Sequence, residues 1–169
     1  MRVGLLADTH DRLPAIRELL RLMTERGVAL VMHAGDFCSP FSLEPVHEAQ
    51  LPMLGVFGHN DGDREALRAL AQQGMATELY ESPHSFDVGG QRILVVHDVR
   101  EVSPRSVEEH AIVIAGHTHQ PLTETRGNTL IVNPGEACGW LHGTPTAAII
   151  DLESRAVEFI RLDGPEWQR

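Results

Sequence analysis

Arg2-Val3-Gly4-Leu5-Leu6-Ala7-Asp8-Thr9-His10 joins a short apolar run to an abrupt polar ending. The apolar part predicts a buried strand, because a short continuous apolar run bounded by polar residues is typical of parallel sheets. Apolar residues then recur at helical spacing from Leu13 to Met23, with Pro14 suited to the first turn and Gly27 to the stop. The segment therefore predicts a strand and a helix with chemically active residues between them.

The same alternation continues through the first half of the chain. Further strands are predicted at Val28 to Met32 and Met53 to Phe57, and further helices near Leu43 to Ala49 and Asp63 to Gln72. A β-α-β-α-β-α order predicts a parallel sheet.

The second half consists mainly of short strands joined by turns. We predict a helix near Ser103 to His110 and strands at Ser85 to Val88, Arg92 to Val96, Ala111 to Ala115, Leu122 to Arg126, Thr129 to Val132, Thr146 to Asp151 and Ala156 to Arg161. These predict a second, mainly antiparallel sheet. Because the chain shows no linker or repeat, residues 1–169 are predicted to form one α/β domain with two packed sheets.

Composition excludes several classes of protein. The apolar fraction of 42% is too high for a disordered chain, and the net charge of −10 argues against binding to nucleic acid or to anionic membranes. Cys38 and Cys138 are too few for a disulfide framework and suggest reduced thiols. With no apolar stretch near the ~20 residues that span a bilayer, we expect a cytoplasmic protein.

Potential metal ligands follow five separate strands. They are Asp8 and His10, Asp36, His59 with Asn60, His97, and His117 with His119. Carboxyl ends of strands share one edge of an α/β sheet, where ligands bind. Alternation along an extended segment would also place Asp8 beside His10 and His117 beside His119. A buried cluster of this kind is costly without partners, and two divalent cations would offset that cost.

Taken alone, each of these motifs is also explained by a structural role such as helix capping or a turn. Their occurrence together after successive strands favours metal binding. Among the other histidines, His33 is expected to support the site from beneath, and His142 is a weaker candidate for substrate contact. His47, His84 and His110 are interpreted as surface or core-edge residues. Cys38 is predicted to be a small buried thiol rather than a ligand.

The chain resembles the calcineurin-like metallophosphoesterases, especially the small single-domain phosphodiesterases of bacteria and archaea. The matching residues are Asp8-Thr9-His10, Gly35-Asp36, Gly58-His59-Asn60-Asp61, His97, Gly116-His117-Thr118-His119 and Asn133-Pro134-Gly135. The resemblance implies a four-layer α/β/β/α sandwich of two packed mixed sheets. It also implies two metal ions, one held by Asp8, His10 and His119, the other by His97 and His117, with Asp36 between them.

The resemblance implies a chemistry as well. Two divalent ions, manganese by family likeness and zinc, iron or nickel by donor type, would share a hydroxide that attacks the phosphorus of a small phosphodiester. Arg12 either adds a charge to the phosphate or forms a surface salt bridge.

The third motif departs from the family pattern. Relatives usually have Asn directly after the glycine, as a metal ligand, whereas this chain has His59 there and Asn60 next. Either His59 replaces the amide as ligand and Asn60 faces the leaving group, or the register shifts and Asn60 is the ligand. In the first case the site has no general acid at position 60, because an amide is not a useful acid.

Two further departures affect the surroundings of the site. Glu136 replaces a common Ser and is expected to repel a phosphate dianion, and Asp98 replaces a common Gly, which suggests a different turn. A catalytically weak or inactive scaffold, as in the related retromer subunit, remains the alternative function. A nuclease is disfavoured by the negative charge, and the oligomeric state is left open.

Overall fold

The computed structural model describes residues 1–73 and 76–167. Its strands are β1 (Arg2–Leu6), β2 (Leu30–His33), β3 (Met53–Val56), β4 (Thr77–Tyr80), β5 (His84–Val88), β6 (Gln91–Val96), β7 (Ile112–Ala115), β8 (Pro121–Arg126), β9 (Thr129–Pro134), β10 (Thr146–Asp151) and β11 (Val157–Arg161). Its α-helices are α1 (Leu13–Glu25), α2 (Glu44–Ala49), α3 (Arg64–Ala71) and α4 (Pro104–Glu108). Short 3₁₀ turns cover Pro40–Leu43 and Val99–Glu101.

The strands form two mixed sheets. In the first sheet the order is β11-β10-β1-β2-β3-β4, with β1 to β4 parallel and β10 antiparallel to both of its neighbours. In the second sheet the order is β5-β6-β7-β9-β8, with β6, β7 and β9 parallel and the two edge strands antiparallel.

Three apolar clusters hold the layers together. The central cluster lies between the sheets and joins Val3 and Leu5 of β1 to Ile93 of β6 and Ile112 of β7. A second cluster packs α1, α2 and α3 on the outer face of the first sheet, and a third packs α4 on the second. The protein is therefore a four-layer α/β/β/α sandwich, as predicted.

Helix α1 shows how the sequence builds one of these layers. Its apolar stripe, Ala15, Ile16, Leu19, Leu20 and Met23, is buried, while Arg17 and Arg21 point outward to surface glutamates. Burial of each large side chain in the stripe contributes about 1.5–3 kcal/mol. Pro14 lies in the first turn, as predicted.

Three details differ from the sequence predictions. The second sheet is not mainly antiparallel, because β7 lies in parallel between β6 and β9. The β10–β11 pair joins the first sheet through β1, and β4 was not predicted. The assignment of residues 1–169 to one domain stays a prediction.

Within residues 1–73 and 76–167, every helix is too short or too polar to cross a lipid bilayer.

Candidate metal centre

Backbone hydrogen bonds tie together the turns that follow the strands. Asp8 N–H donates to Gly35 O (3.0 Å) and His10 N–H donates to Asp36 O (3.1 Å), which joins the turn after β1 to the turn after β2. In the second sheet, Gly116 N–H donates to His97 O (2.9 Å). His117 N–H also donates to Asp8 Oδ2 (3.0 Å), so the carboxyl ends of β1, β2, β6 and β7 meet at one edge of the sandwich.

Glycine allows two of these turns to approach closely. A Cβ on Gly35, whose φ is +97°, would lie 2.6 Å from Gly58 N and 2.9 Å from His97 Nδ1. A Cβ on Gly58 would lie 2.9 Å from His97 Cε1 and would collide with the Asp36 carboxylate. The two glycines thus bring Asp36 and His97 together across the sheets.

Asp8, His10, Asp36 and His119 form one half of the site. Oδ1 of Asp8 lies 3.5 Å from His119 Nε2 and 4.0 Å from His10 Nε2. His10 Nε2 is also 3.4 Å from Asp36 Oδ2. These are the residues that the sequence assigned to the first metal and to the bridge.

His59, His97 and His117 form the other half, and their ligand atoms lie within 4.8 Å of one another. His97 Nε2 is 3.5 Å from Asp36 Oδ1, so the two carboxylate oxygens of Asp36 face opposite halves of the site. All seven predicted ligands are therefore brought to one place.

Among the residues that the structure describes, several potential metal-ligand atoms of this cluster are buried without a hydrogen-bond partner. They include Asp8 Oδ1, His10 Nε2 and His97 Nε2. An unsatisfied buried polar atom costs about 1–3 kcal/mol, and more when charged. Cations between these atoms would offset that cost, and a carboxylate and imidazole donor set suits divalent metals. The residues fit the predicted metals.

The other ring nitrogen of three of these histidines has a partner behind the site. His97 Nδ1 lies 2.8 Å from Ala34 O, and His119 Nδ1 lies 2.8 Å from Glu136 Oε2. His10 Nδ1 lies 3.1 Å from Cys38 Sγ. An Nδ1–H that donates to oxygen leaves Nε2 with its lone pair free for a metal.

His33 supports the site from beneath, as expected. Its Nδ1 accepts from Gly35 N–H at 3.0 Å, so its Nε2 donates to Thr9 Oγ1 at 3.1 Å. The Thr9 hydroxyl in turn donates to Asp36 O at 3.2 Å. Burial lowers the pKa of His33 to about 3, so the ring is neutral. This relay fixes the turn after β1 against the turn after β2.

The electrostatics of the carboxylates reflect burial and crowding. Burial, with Asp36 nearby, raises the pKa of Asp8 to about 8. Burial also raises the pKa of Asp36, but hydrogen bonds from Asn60 outweigh it and leave the pKa below its ordinary value. Burial lowers the pKa of His10 and of His97. Burial therefore favours the neutral form of His10 and His97, which is the form of imidazole that binds metals.

The backbone of the site is unusual. Within residues 1–73 and 76–167, positive φ angles occur at nine non-glycine residues: Asp8, His10, Asp11, Asp36, Cys38, Gln50, His117, His119 and Arg155. Five of these are predicted ligands. Such conformations cost of order 1–3 kcal/mol each and cluster at functional sites. They also correct the argument from alternation, because Asp8, His10, His117 and His119 lie in left-handed turns rather than in extended chain.

His59 and Asn60 contact different neighbours in the site. The His59 ring lies against His97 and His117, with centroids 4.7 and 5.0 Å away, and its Nε2 is 2.7 Å from Glu101 Oε1. Asn60 donates twice to Asp36, from its backbone N–H (2.8 Å) and from its side-chain amide (2.7 Å). His59 thus lies with the ligands, and Asn60 holds Asp36.

Glu136 does not face a substrate, contrary to expectation. Its side chain is 1% exposed and turns inward to His119 and to the backbone N–H groups of Leu141 and His142. Burial would raise its pKa, but these hydrogen bonds hold it below the ordinary value. The sequence showed the substitution but not the direction of the side chain.

Other neighbours of the site also differ from expectation. Within residues 1–73 and 76–167, Arg12 has no carboxylate partner; it donates to Cys138 O (2.6 Å) and stacks on Trp140. Cys38 is partly exposed rather than buried. Asp98 has an ordinary negative φ, so the turn needs no glycine there, and its carboxylate accepts from Arg100.

Asp61 is the supporting residue that sequence reasoning missed. Its buried carboxylate accepts from the backbone N–H groups of Gly58 (2.6 Å), Asp36 (3.2 Å) and Cys38 (2.9 Å). It therefore fastens the turn after β3 to the turn after β2. Its place at the end of the third motif was visible in the sequence, but its three donors come from backbone and leave no sequence signal.

The matches to known proteins agree with this geometry. A sequence model described as the calcineurin-like phosphoesterase superfamily domain matches residues 1–155. The chain belongs to this family. Phosphodiesterase MJ0936 of Methanocaldococcus jannaschii is 31% identical over 167 residues, covering 96% of this chain and 100% of that protein. The predictions of family and of phosphoester hydrolase activity are thereby confirmed, and a role for divalent metals follows from the family.

Two solved structures of phosphoesterases have the same fold as this chain. A structure of an archaeal phosphodiesterase superposes with a TM-score of 0.89 at 31% identity, covering 96% of this chain and 100% of that one. The phosphoesterase YfcE from E. coli superposes with a TM-score of 0.70 at 18% identity, covering 96% and 98%, which shows the shared fold.

Proposed function

We propose that this phosphoesterase hydrolyses small phosphodiesters with two divalent cations held at the shared strand edge. Asp8, His10 and His119 would hold one cation, and His59, His97 and His117 the other. Asp36 would contribute one carboxylate oxygen to each, since its two oxygens face opposite halves of the site.

The observation that carries this proposal is the set of buried donor atoms without partners. Asp8 Oδ1 and His10 Nε2 lie on one side of Asp36, and His97 Nε2 lies on the other. Five of the predicted ligands also have left-handed backbone conformations: Asp8, His10, Asp36, His117 and His119. A fold keeps such strained and unsatisfied groups when a ligand compensates for them.

The residues of the chain have separate tasks in this proposal. When bound, paired divalent ions neutralise phosphoryl oxygens and lower the pKa of a coordinated water. Asn60 keeps Asp36 oriented, because its backbone N–H and its side-chain amide both donate to the Asp36 carboxylate. Outer partners hold His10, His97 and His119 with Nε2 toward the cations.

We propose manganese as the resident metal, with zinc, iron and nickel as competitors, because a mixed carboxylate and imidazole site does not itself select one. The phosphodiester substrate is supported by the 31% identity to a phosphodiesterase. A net charge of −10 supports a small substrate over nucleic acid. The free thiols of Cys38 and Cys138 support a cytoplasmic location.

The experiment is reconstitution of chelator-treated protein with manganese, followed by hydrolysis of bis(p-nitrophenyl) phosphate. We expect two equivalents to bind and activity to follow the second. Asp8→Asn should abolish the binding of one equivalent together with the activity, whereas Asp87→Asn, at an exposed position of β5, should change neither. Full activity after chelation would refute the metal mechanism, and two bound equivalents without turnover would establish the inactive scaffold instead.

A further inference from the structure

The buried carboxylate of Glu136 connects a predicted ligand to a surface loop. Oε2 accepts from His119 Nδ1 at 2.8 Å and from Leu141 N–H at 3.0 Å, while Oε1 accepts from His142 N–H. Because one oxygen receives both His119 and Leu141, the imidazole and the loop backbone are fixed to the same atom. A serine at this position would lack the second oxygen that such a connection needs.

The loop that Glu136 holds lies at the rim of the site. Trp140 Nε1 donates to His10 O at 3.4 Å, and Arg12 donates to Cys138 O at 2.6 Å. The Leu141 side chain is 70% exposed although its N–H is tied to buried Glu136. The loop therefore presents Leu141 to solvent while its backbone is anchored behind His119.

We propose that Glu136 is a positioning residue that holds His119 for its cation and the Trp140–His142 backbone beside it. This rests on the proposed function, since it assumes that His119 binds a metal. Glu136 itself is not a ligand, because His119 Nδ1 and the two backbone N–H groups already occupy both of its oxygens.

The proposal predicts a selective effect on metal affinity. Loss of an outer partner of a ligating histidine typically costs about 10–100-fold in metal affinity. Glu136→Gln has a single side-chain oxygen, and its amide group meets N–H donors where the second oxygen was. Glu136→Ser has a side chain too short to reach the His119 ring and the loop backbone at the same time.

Manganese binding to chelator-treated protein measures this effect, with each site resolved by calorimetric titration. Both variants should weaken one site about 10–100-fold and leave the other within about threefold of the unaltered protein. Glu153→Gln, an exposed glutamate in the turn after β10, is the matched control and should change neither site. Hydrogen exchange at the Leu141 and His142 amides should rise in both Glu136 variants.

The outcomes separate this proposal from the one on which it rests. Failure of the unaltered protein to bind manganese would refute the proposed function. Two tight sites in the unaltered protein and in folded Glu136→Ser, or equal weakening of both sites, would overturn the positioning role. Unchanged amide exchange at Leu141 and His142 would overturn the role in the loop.

Discussion

Asp61→Asn tests whether the turns of the site depend on one buried carboxylate. The two oxygens of Asp61 accept from three backbone N–H groups, those of Gly58, Asp36 and Cys38. Asparagine keeps one oxygen, so at least one N–H loses its acceptor and faces an NH₂ group instead. The backbone N–H and the new NH₂ group are then two buried donors without acceptors. Each costs about 1–3 kcal/mol, so we expect a loss of about 2–4 kcal/mol in the free energy of unfolding.

Urea unfolding of the metal-free protein measures that loss. With a slope of about 2 kcal/mol per molar urea, the midpoint should fall by about 1–2 M. Asp63→Asn is the matched control, because Asp63 caps α3 by accepting only from Ala66 N–H at an exposed position, where asparagine caps equally well. If the Asp61→Asn midpoint stays within about 0.3 M of the control, the carboxylate does not hold the turns and the reasoning is wrong.

The fold was largely predictable because its local patterns agree with its layers. The apolar run before Asp8 and the helical spacing from Leu13 gave β1 and α1 nearly to the residue. Two features were not predictable. Strand β4 alternates buried Thr77 and Leu79 with a more exposed Glu78, which is a weak signal in four residues. The pairing of β10 with β1 joins segments far apart in sequence, which local patterns do not specify.

The candidate metal ligands could be predicted from the sequence. The turns and neighbouring side chains that hold them in place could be predicted less well. Polar residues after successive strands converge because strand carboxyl ends share an edge, and that argument needs only the strand positions. The left-handed turns that aim Asp8 and His117 were not visible, since aspartate and histidine usually adopt ordinary backbone angles. The inward direction of Glu136 depends on N–H groups of a loop that the sequence did not place.

Four further substitutions test the centre itself. Asp36→Asn should lower turnover more than any other ligand change, and a near-normal rate with both metals bound would show that Asp36 is not shared. Gly58→Ala should destabilise the protein by more than about 1 kcal/mol, measured by thermal unfolding, because its Cβ would collide with the Asp36 carboxylate. His59→Ala should weaken the second metal site, whereas Asn60→Ala should retain both metals with a lower rate, because Asn60 contacts Asp36 and His59 lies with His97. With no acid at position 60 to protonate the leaving group, nitrophenyl diesters should be hydrolysed far faster than alkyl diesters, since such an acid typically contributes about 10²–10⁴-fold. Loss of the second metal in Asn60→Ala, with His59→Ala unaffected, would reverse the assignment, making Asn60 the ligand and His59 the candidate proton donor.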